Sequence, residues 1–140
     1  MDANGEREVS LADYQGRPLV LYFYPKDDTP GCTKEACGFR DLGAEFAASG
    51  AAIFGISPDS ARSHAKFIEH HTLSFPLLSD EDKAVCQAYG VWKEKVNYGK
   101  KYMGVERTTF LIDAKGVIER IWPKVKVEGH VEAVLAAIRG

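Results

Sequence analysis

The sequence predicts an α/β fold, a mixed central sheet with helices on both faces, in a single domain spanning residues 1–140. Three observations carry that expectation. The near-continuous apolar run Pro18-Leu-Val-Leu-Tyr-Phe-Tyr24 reads as a strand buried on both faces. A helical pattern of about 18 residues and a second apolar strand follow it, which makes a parallel crossover unit. Farther on, two apolar runs flank Asp113-Ala-Lys-Gly116 and read as an antiparallel hairpin. Parallel and antiparallel pairs in one sheet, with interspersed helices, give a layered α/β domain.

The elements follow in order. Pro25 to Gly31 is a loop rich in Pro, Asp and Gly. From Pro30 to Ser49, Ala36, Phe39, Leu42, Phe46 and Ala47 recur at helical spacing, and Gly50 is the stop. Ala51 to Ile56 is the second strand. Ser57-Pro-Asp-Ser60 is a turn and cap for a helix over Ala61 to His71, with Ala65, Phe67 and Ile68 inward. Phe75 to Leu78 is a short strand, Asp80 to Tyr89 a short helix ended by Gly90, and Trp92 to Gly104 a loop with many lysines. Val105 to Ile112 and Val117 to Trp122 are the hairpin strands. Val127 to Ile138 is the closing helix, with Val131, Val134, Leu135 and Ile138 at i, i+3, i+4 and i+7.

Composition narrows the function. With 140 residues and 45% hydrophobic content, the chain can build one core. There is no repeat, no low-complexity tract and no run of about 18 apolar residues, so no membrane span is expected. Met1 to Glu8 is polar and charged, unlike a signal peptide. A net charge of −2 argues against nucleic acid and against a membrane surface as partners. Three cysteines, Cys32, Cys37 and Cys86, with no secretion signal, point to a reducing compartment, the cytoplasm. They are either inert core residues or one of them does chemistry.

Cys32 is the candidate. In Thr29-Pro30-Gly31-Cys32, Thr29 suits a helix cap and Pro30 the first helical position. Cys32 then lies in the first turn, where open N–H groups and the positive end of the helix dipole favour a thiolate, the nucleophilic form. The loop leaves the C-terminal end of a buried strand, where open sheets place their sites. Cys37 follows five residues on. On a helix that separates the two Cα atoms by roughly 8–9 Å, on nearly opposite sides, whereas a disulfide needs about 4.4–6.8 Å. The pair can bond only if the first turns unwind, and Gly31, Thr33 and Gly38 are poor helix formers. Spacing alone leaves Cys37 equally readable as a buried helix residue. Cys86, flanked by Val85 and Ala88, reads as core.

These residues resemble a known family. Pro25-Lys-Asp-Asp-Thr29-Pro30-Gly31-Cys32-Thr-Lys-Glu-Ala-Cys37-Gly-Phe-Arg-Asp41 is similar to the active-site segment of peroxiredoxins, in particular the Q-type or bacterioferritin comigratory subgroup. Pro25, Thr29 and Cys32 fit the pattern of Pro, three residues, Thr or Ser, two residues, Cys. Cys37 fits the subgroup's resolving cysteine, and Arg107 the family's arginine at the start of a later strand. The resemblance runs from about Asn4 to Gly140. It departs at the start, because family members usually carry a further short segment with a strand before the Asp-Ala-Asn-Gly turn, so the first strand is expected to be truncated or the hairpin incomplete.

The resemblance implies a thioredoxin-like fold and an atypical two-cysteine peroxidase serving antioxidant defence. It implies hydrogen peroxide and organic hydroperoxides as substrates, Cys32 as the peroxidatic thiolate passing through a sulfenic acid, and a disulfide with Cys37. A thioredoxin-like protein would reduce that disulfide. Arg107 would stabilise the thiolate and hold a peroxide oxygen, Thr29 would hydrogen-bond at the same oxygens, and Pro25 would shield the pocket. A monomer is expected, with no cofactor and no metal. His64 and His71 lie about 10.5 Å apart along their helix, too far for one ion, and Cys-x4-Cys is wrong for a zinc ribbon. Lys26, Asp27 and Asp28 read as solvated loop residues, and Arg40 and Asp41 as helix support. A thioredoxin-type oxidoreductase would want Cys-x-x-Cys. A thiol hydrolase would want a histidine placed to activate Cys32. A redox-sensing or partner-binding domain is the third reading, and peroxide turnover separates it from the peroxidase.

Overall fold

Tyr22, midway along the central strand, pairs in parallel with Gly55 on one side and antiparallel with Thr109 on the other. The structure, a computed structural model, describes residues 2–3, 7–8, 14 and 16–140. The strands are β1 (Asp2–Ala3), β2 (Arg7–Glu8), β3 (Leu19–Phe23), β4 (Ala52–Ser57), β5 (Leu77–Ser79), β6 (Trp92–Asn97), β7 (Lys100–Val105), β8 (Thr108–Ile112) and β9 (Ile118–Trp122). The helices are α1 (Pro30–Asp41), α2 (Gly43–Ala48), α3 (Ala61–His71), α4 (Ala84–Ala88) and α5 (His130–Arg139). Seven strands form one sheet in the order β2-β1-β5-β4-β3-β8-β9, and β6 and β7 form a separate ribbon. At the start of the chain, β1 pairs antiparallel with both β2 and β5. The turn expected at Asn4 and Gly5 lies outside the described residues.

Alternation along β3 builds two cores. Val20, Tyr22 and Tyr24 face a layer containing Ala36 and Phe39 of α1, Phe46 of α2, Phe67 of α3 and Val134 of α5. Leu19, Leu21 and Phe23 face Phe54, Cys86 of α4, Val91 and Val105. Helices therefore cover both faces, four on one and the short α4 on the other. Each fully buried large apolar side chain contributes about 1.5–3 kcal/mol, so β3, buried throughout, anchors the domain.

Local sequence explains most boundaries. Thr29 is extended (φ −87°, ψ 154°) and Pro30 follows as the first helical residue of α1. The single helix expected to Ser49 breaks at Leu42, whose ψ of 12° leaves the helical region, and resumes at Gly43, a weak helix former. α3 has the expected bounds, with the Ser60 hydroxyl accepting the Ser63 N–H at 3.1 Å. Its inward stripe differs from expectation. Ala65 is exposed, and His64 and Phe67 are buried. The segment Trp92 to Gly104, expected to be a loop, is the β6–β7 hairpin. Its turn is Tyr98-Gly99, with φ of 53° and 77°, the positive pair that a two-residue hairpin turn requires. Both faces of this ribbon are largely solvated, so no apolar alternation marked it in the sequence.

The sheet places the site. β3 ends at Phe23, opposite Thr108, the first residue of β8. Arg107 therefore sits beside the loop that runs from β3 into α1.

Candidate active site

Cys32 is the third residue of α1 and is buried, with 1% exposure. The first intrahelical bond of α1 runs from Thr33 N to Thr29 O at 2.8 Å. The amides of Gly31 and Cys32 precede it and have no acceptor within the helix. Arg107 crosses to this turn. Its Nη2 donates to Cys32 Sγ at 3.2 Å, and its Nη1 donates to Glu35 Oε1 at 2.7 Å. Gly31 permits the approach, because a Cβ there would stand 3.2 Å from Arg107 Nη2.

Glu35 lies one helical turn beyond Cys32 and is fully buried. Burial pushes its carboxyl up to about 7, against the opposing pull of Arg107. Burial works against the Arg107 charge too, but Glu35 and Cys32 outweigh it and raise its affinity for the proton. Glu35 Oε2 and the Tyr22 hydroxyl find no hydrogen-bond partner among the described residues. Burial raises Tyr22 well above the ordinary tyrosine range, and Glu35 then Cys32 add to it. Lys95 of β6 is lowered by burial and next by Arg107, so the ribbon flanks the same charge.

The remaining candidates divide by place. Thr29 occupies the cap position, but its hydroxyl donates to Lys26 O at 2.8 Å instead of capping α1. Pro25 is half-buried at the end of the strand. Cys37 is half-buried and opens into a cleft between α1 and the start of α5, beside Lys34, Gly38, Asp41 and Glu132. Cys32, Cys37 and Cys86 are all free thiols. Cys86 is buried away from this site. Burial and then Asp80 push its thiol far up, which fits a core residue.

Two features of this region escaped the sequence. Glu35 carries no signal of its own, since a glutamate in a helix ordinarily faces water. Asp27 was expected to be solvated and is buried. The fold also gathers two sets of potential metal ligands that sequence spacing did not suggest, Asp28 with His70 and His71, and Asp27 with Asp59 and His64. Hydrogen bonds within the protein account for them. His71 Nε2 meets Asp28 Oδ1 at 2.8 Å, and His64 Nδ1 meets Asp27 Oδ2 at 2.8 Å.

The chain is similar to well-described proteins. The AhpC/TSA family model matches residues 1–121. A putative peroxiredoxin Bcp of Coxiella burnetii is 55% identical over 130 residues, 93% of this chain and 86% of the relative. Peroxiredoxin Bcp of Bacillus subtilis is 53% identical over 131 residues, 94% of this chain and 83% of the relative. Among solved structures, the Xanthomonas campestris bacterioferritin comigratory protein superposes with a TM-score of 0.93 at 47% identity, covering 98% of this chain and 87% of that one. That protein was studied for alkyl peroxide reduction, in trapped intermediate and ligand complexes.

Proposed function

Because this chain belongs to the AhpC/TSA family and is a thiol peroxidase of the peroxiredoxin kind, we propose that Cys32 is its peroxidatic thiolate, Cys37 its resolving thiol and Arg107 the cation that serves both thiolate and peroxide. One observation carries the assignment of roles: the Arg107 guanidinium bonds Cys32 Sγ at 3.2 Å in the first turn of α1. A cation and a helix N-terminus both favour negative charge on that sulfur.

The chemistry then follows. The thiolate sulfur attacks one peroxide oxygen, the O–O bond breaks, and the leaving oxygen departs as alcohol or water after taking a proton. Cys32 becomes a sulfenic acid. Arg107 uses two of its five N–H donors on Cys32 and Glu35, so its fork can also hold a peroxide oxygen as charge builds. Pro25 shields the pocket. Thr29 contributes its hydroxyl at the same oxygens once it turns from Lys26. The Cys37 thiolate next attacks the Cys32 sulfur, the S–O bond breaks, water leaves and a disulfide forms. Two thiols of a thioredoxin-like reductant restore the pair. Hydrogen peroxide and organic hydroperoxides are the substrates, and antioxidant defence in the cytoplasm is the role. One chain supplies Cys32, Cys37 and Arg107, so a monomer suffices.

Stopped-flow mixing of reduced protein with peroxide tests the reading. Cys32→Ser abolishes consumption, and a Cys32→Ser protein with near wild-type turnover overturns it.

A further inference from the structure

The loop that carries Pro25 and Thr29 does not float over the site. Its two middle residues are each tied to α3. Asp27 is buried, and its carboxylate takes three partners: the Tyr24 hydroxyl donates to Oδ1 at 2.6 Å, Ser63 Oγ donates to Oδ2 at 2.7 Å, and His64 Nδ1 lies 2.8 Å from Oδ2. The Asp27 backbone N–H donates to Asp59 Oδ2 at 2.9 Å. His64 is fully buried as well. Its Nε2 faces the carbonyl of Leu78 at 3.1 Å; that oxygen can only accept, so Nε2 donates, and Nδ1 shares a proton with the Asp27 carboxylate. Asp28 turns the opposite way through a positive φ of 57° and meets His71 at 2.8 Å. Between β3 and α1, Tyr24, Pro25 and Lys26 precede these ties and Thr29 alone follows them.

We propose that Asp27 and His64 are positioning residues for the peroxide step: the buried pair seats the loop that leads into the first turn of α1 and so sets where Cys32 stands relative to Arg107. This rests on the assignment of Cys32 as the peroxidatic thiol. The reach is short. Thr29, two residues beyond Asp27, is the cap residue of α1, and Cys32 is three residues beyond that. A misplacement of about 1 Å at reacting atoms can cost about 100-fold in rate. Three partners converge on one carboxylate, so losing it leaves the buried Tyr24 hydroxyl only a 3.4 Å approach to His64 Nδ1 and the His64 ring only its Leu78 bond, and the loop loses its seat. Asn at position 27 keeps the shape and can still bond a neutral His64, with its Nδ2 donating to Nδ1.

The experiment separates the two chemical steps. Cys32 sulfenic acid formation is followed by stopped-flow in a Cys37→Ser background, and disulfide formation by mass spectrometry in proteins that keep Cys37. Wild type, Asp27→Ala, Asp27→Asn and His64→Ala are compared at a temperature where circular dichroism shows each folded. Asp27→Ala and His64→Ala are expected to slow sulfenic acid formation at least tenfold while the resolving step itself, the first-order conversion of sulfenic acid to disulfide at saturating peroxide, is not slowed, and Asp27→Asn to stay within about threefold of wild type. Wild-type sulfenic acid rates in folded Asp27→Ala overturn the proposal, and so does a proportional loss in both steps, which marks general destabilisation. If the alanine variants do not fold, Ser63→Ala removes one of the three carboxylate bonds; a two- to fivefold slowing confined to the peroxide step supports the positioning role, and an unchanged rate overturns it. Failure of wild-type Cys32 to oxidise at all would instead defeat the functional assignment.

Discussion

At the scale of single residues, the site is a contest over one guanidinium. Arg107 serves Cys32 and Glu35 at once, at 3.2 and 2.7 Å. Hydrogen bonds to charged groups contribute about 1.5–3 kcal/mol, so Arg107→Ala is expected to slow the reaction of Cys32 with peroxide by about 10- to 100-fold, read by stopped-flow. Glu35 imposes a pH dependence on stability. Its folded value, about 7, stands above the ordinary 4.5, so the folded state holds more protons than the unfolded state between those values. Stability carried by that carboxyl is present below about pH 4.5 and is lost as pH rises through 7. Glu35→Gln removes the loss. The stability of Glu35→Gln relative to wild type should therefore climb by up to about 3 kcal/mol across that window in urea titrations, at 1.36 kcal/mol per pH unit. A flat difference would show that Glu35 is ionised alike in both states. The sequence singled out Cys32 by its place after Thr29-Pro30-Gly31, and Arg107 only through the resemblance to the family, since on its own it reads as an ordinary strand-edge arginine. Glu35 and Asp27 were not legible, because the burial of a charged residue depends on what the tertiary fold lays over it.

At the scale of elements, the proposed disulfide asks α1 to let two of its own residues meet. Cys32 and Cys37 both lie within Pro30–Asp41 and are free thiols in this conformation. Helical geometry keeps them roughly 8–9 Å apart, so bonding requires the first turns to unwind. Oxidation should then raise amide hydrogen exchange between residues 31 and 41, with β3 and β8 nearly unchanged. Stiffening the helix should oppose resolution. Gly38 is the wrong place to do it, because an added Cβ would stand 3.0 Å from Val131 Cγ2 on α5. Thr33→Ala is cleaner and raises helix propensity by about 0.5 kcal/mol, so disulfide formation should slow by about two- to threefold. A matching rise in sulfinic acid on Cys32 at high peroxide, read by mass spectrometry, completes the expectation. Equal rates in both proteins would mean that unwinding this helix does not limit resolution.

At the scale of the molecule, the crossover, β8 and α5 were legible because each buries apolar residues in one of two cores, and β9 because a turn signal precedes it, although Ile118 and Ile121 stay exposed. The β6–β7 ribbon was not, because it lies outside the main sheet and most of its side chains, Tyr98, Tyr102 and Met103 among them, face water. The break at Leu42 was hidden by apolar spacing that continues across it. What the fold accomplishes is a convergence. β3 delivers the loop and α1, β8 delivers Arg107 from the neighbouring strand, and α3 holds the loop from the side. The most direct test of that convergence is sulfenic acid trapping with a dimedone-type probe on Cys37→Ser after one equivalent of peroxide. The adduct is expected on Cys32 alone, with wild type giving a Cys32–Cys37 disulfide under the same conditions. An adduct on Cys86, or a wild-type protein that consumes peroxide while Cys32 stays a thiol, would contradict the assignment.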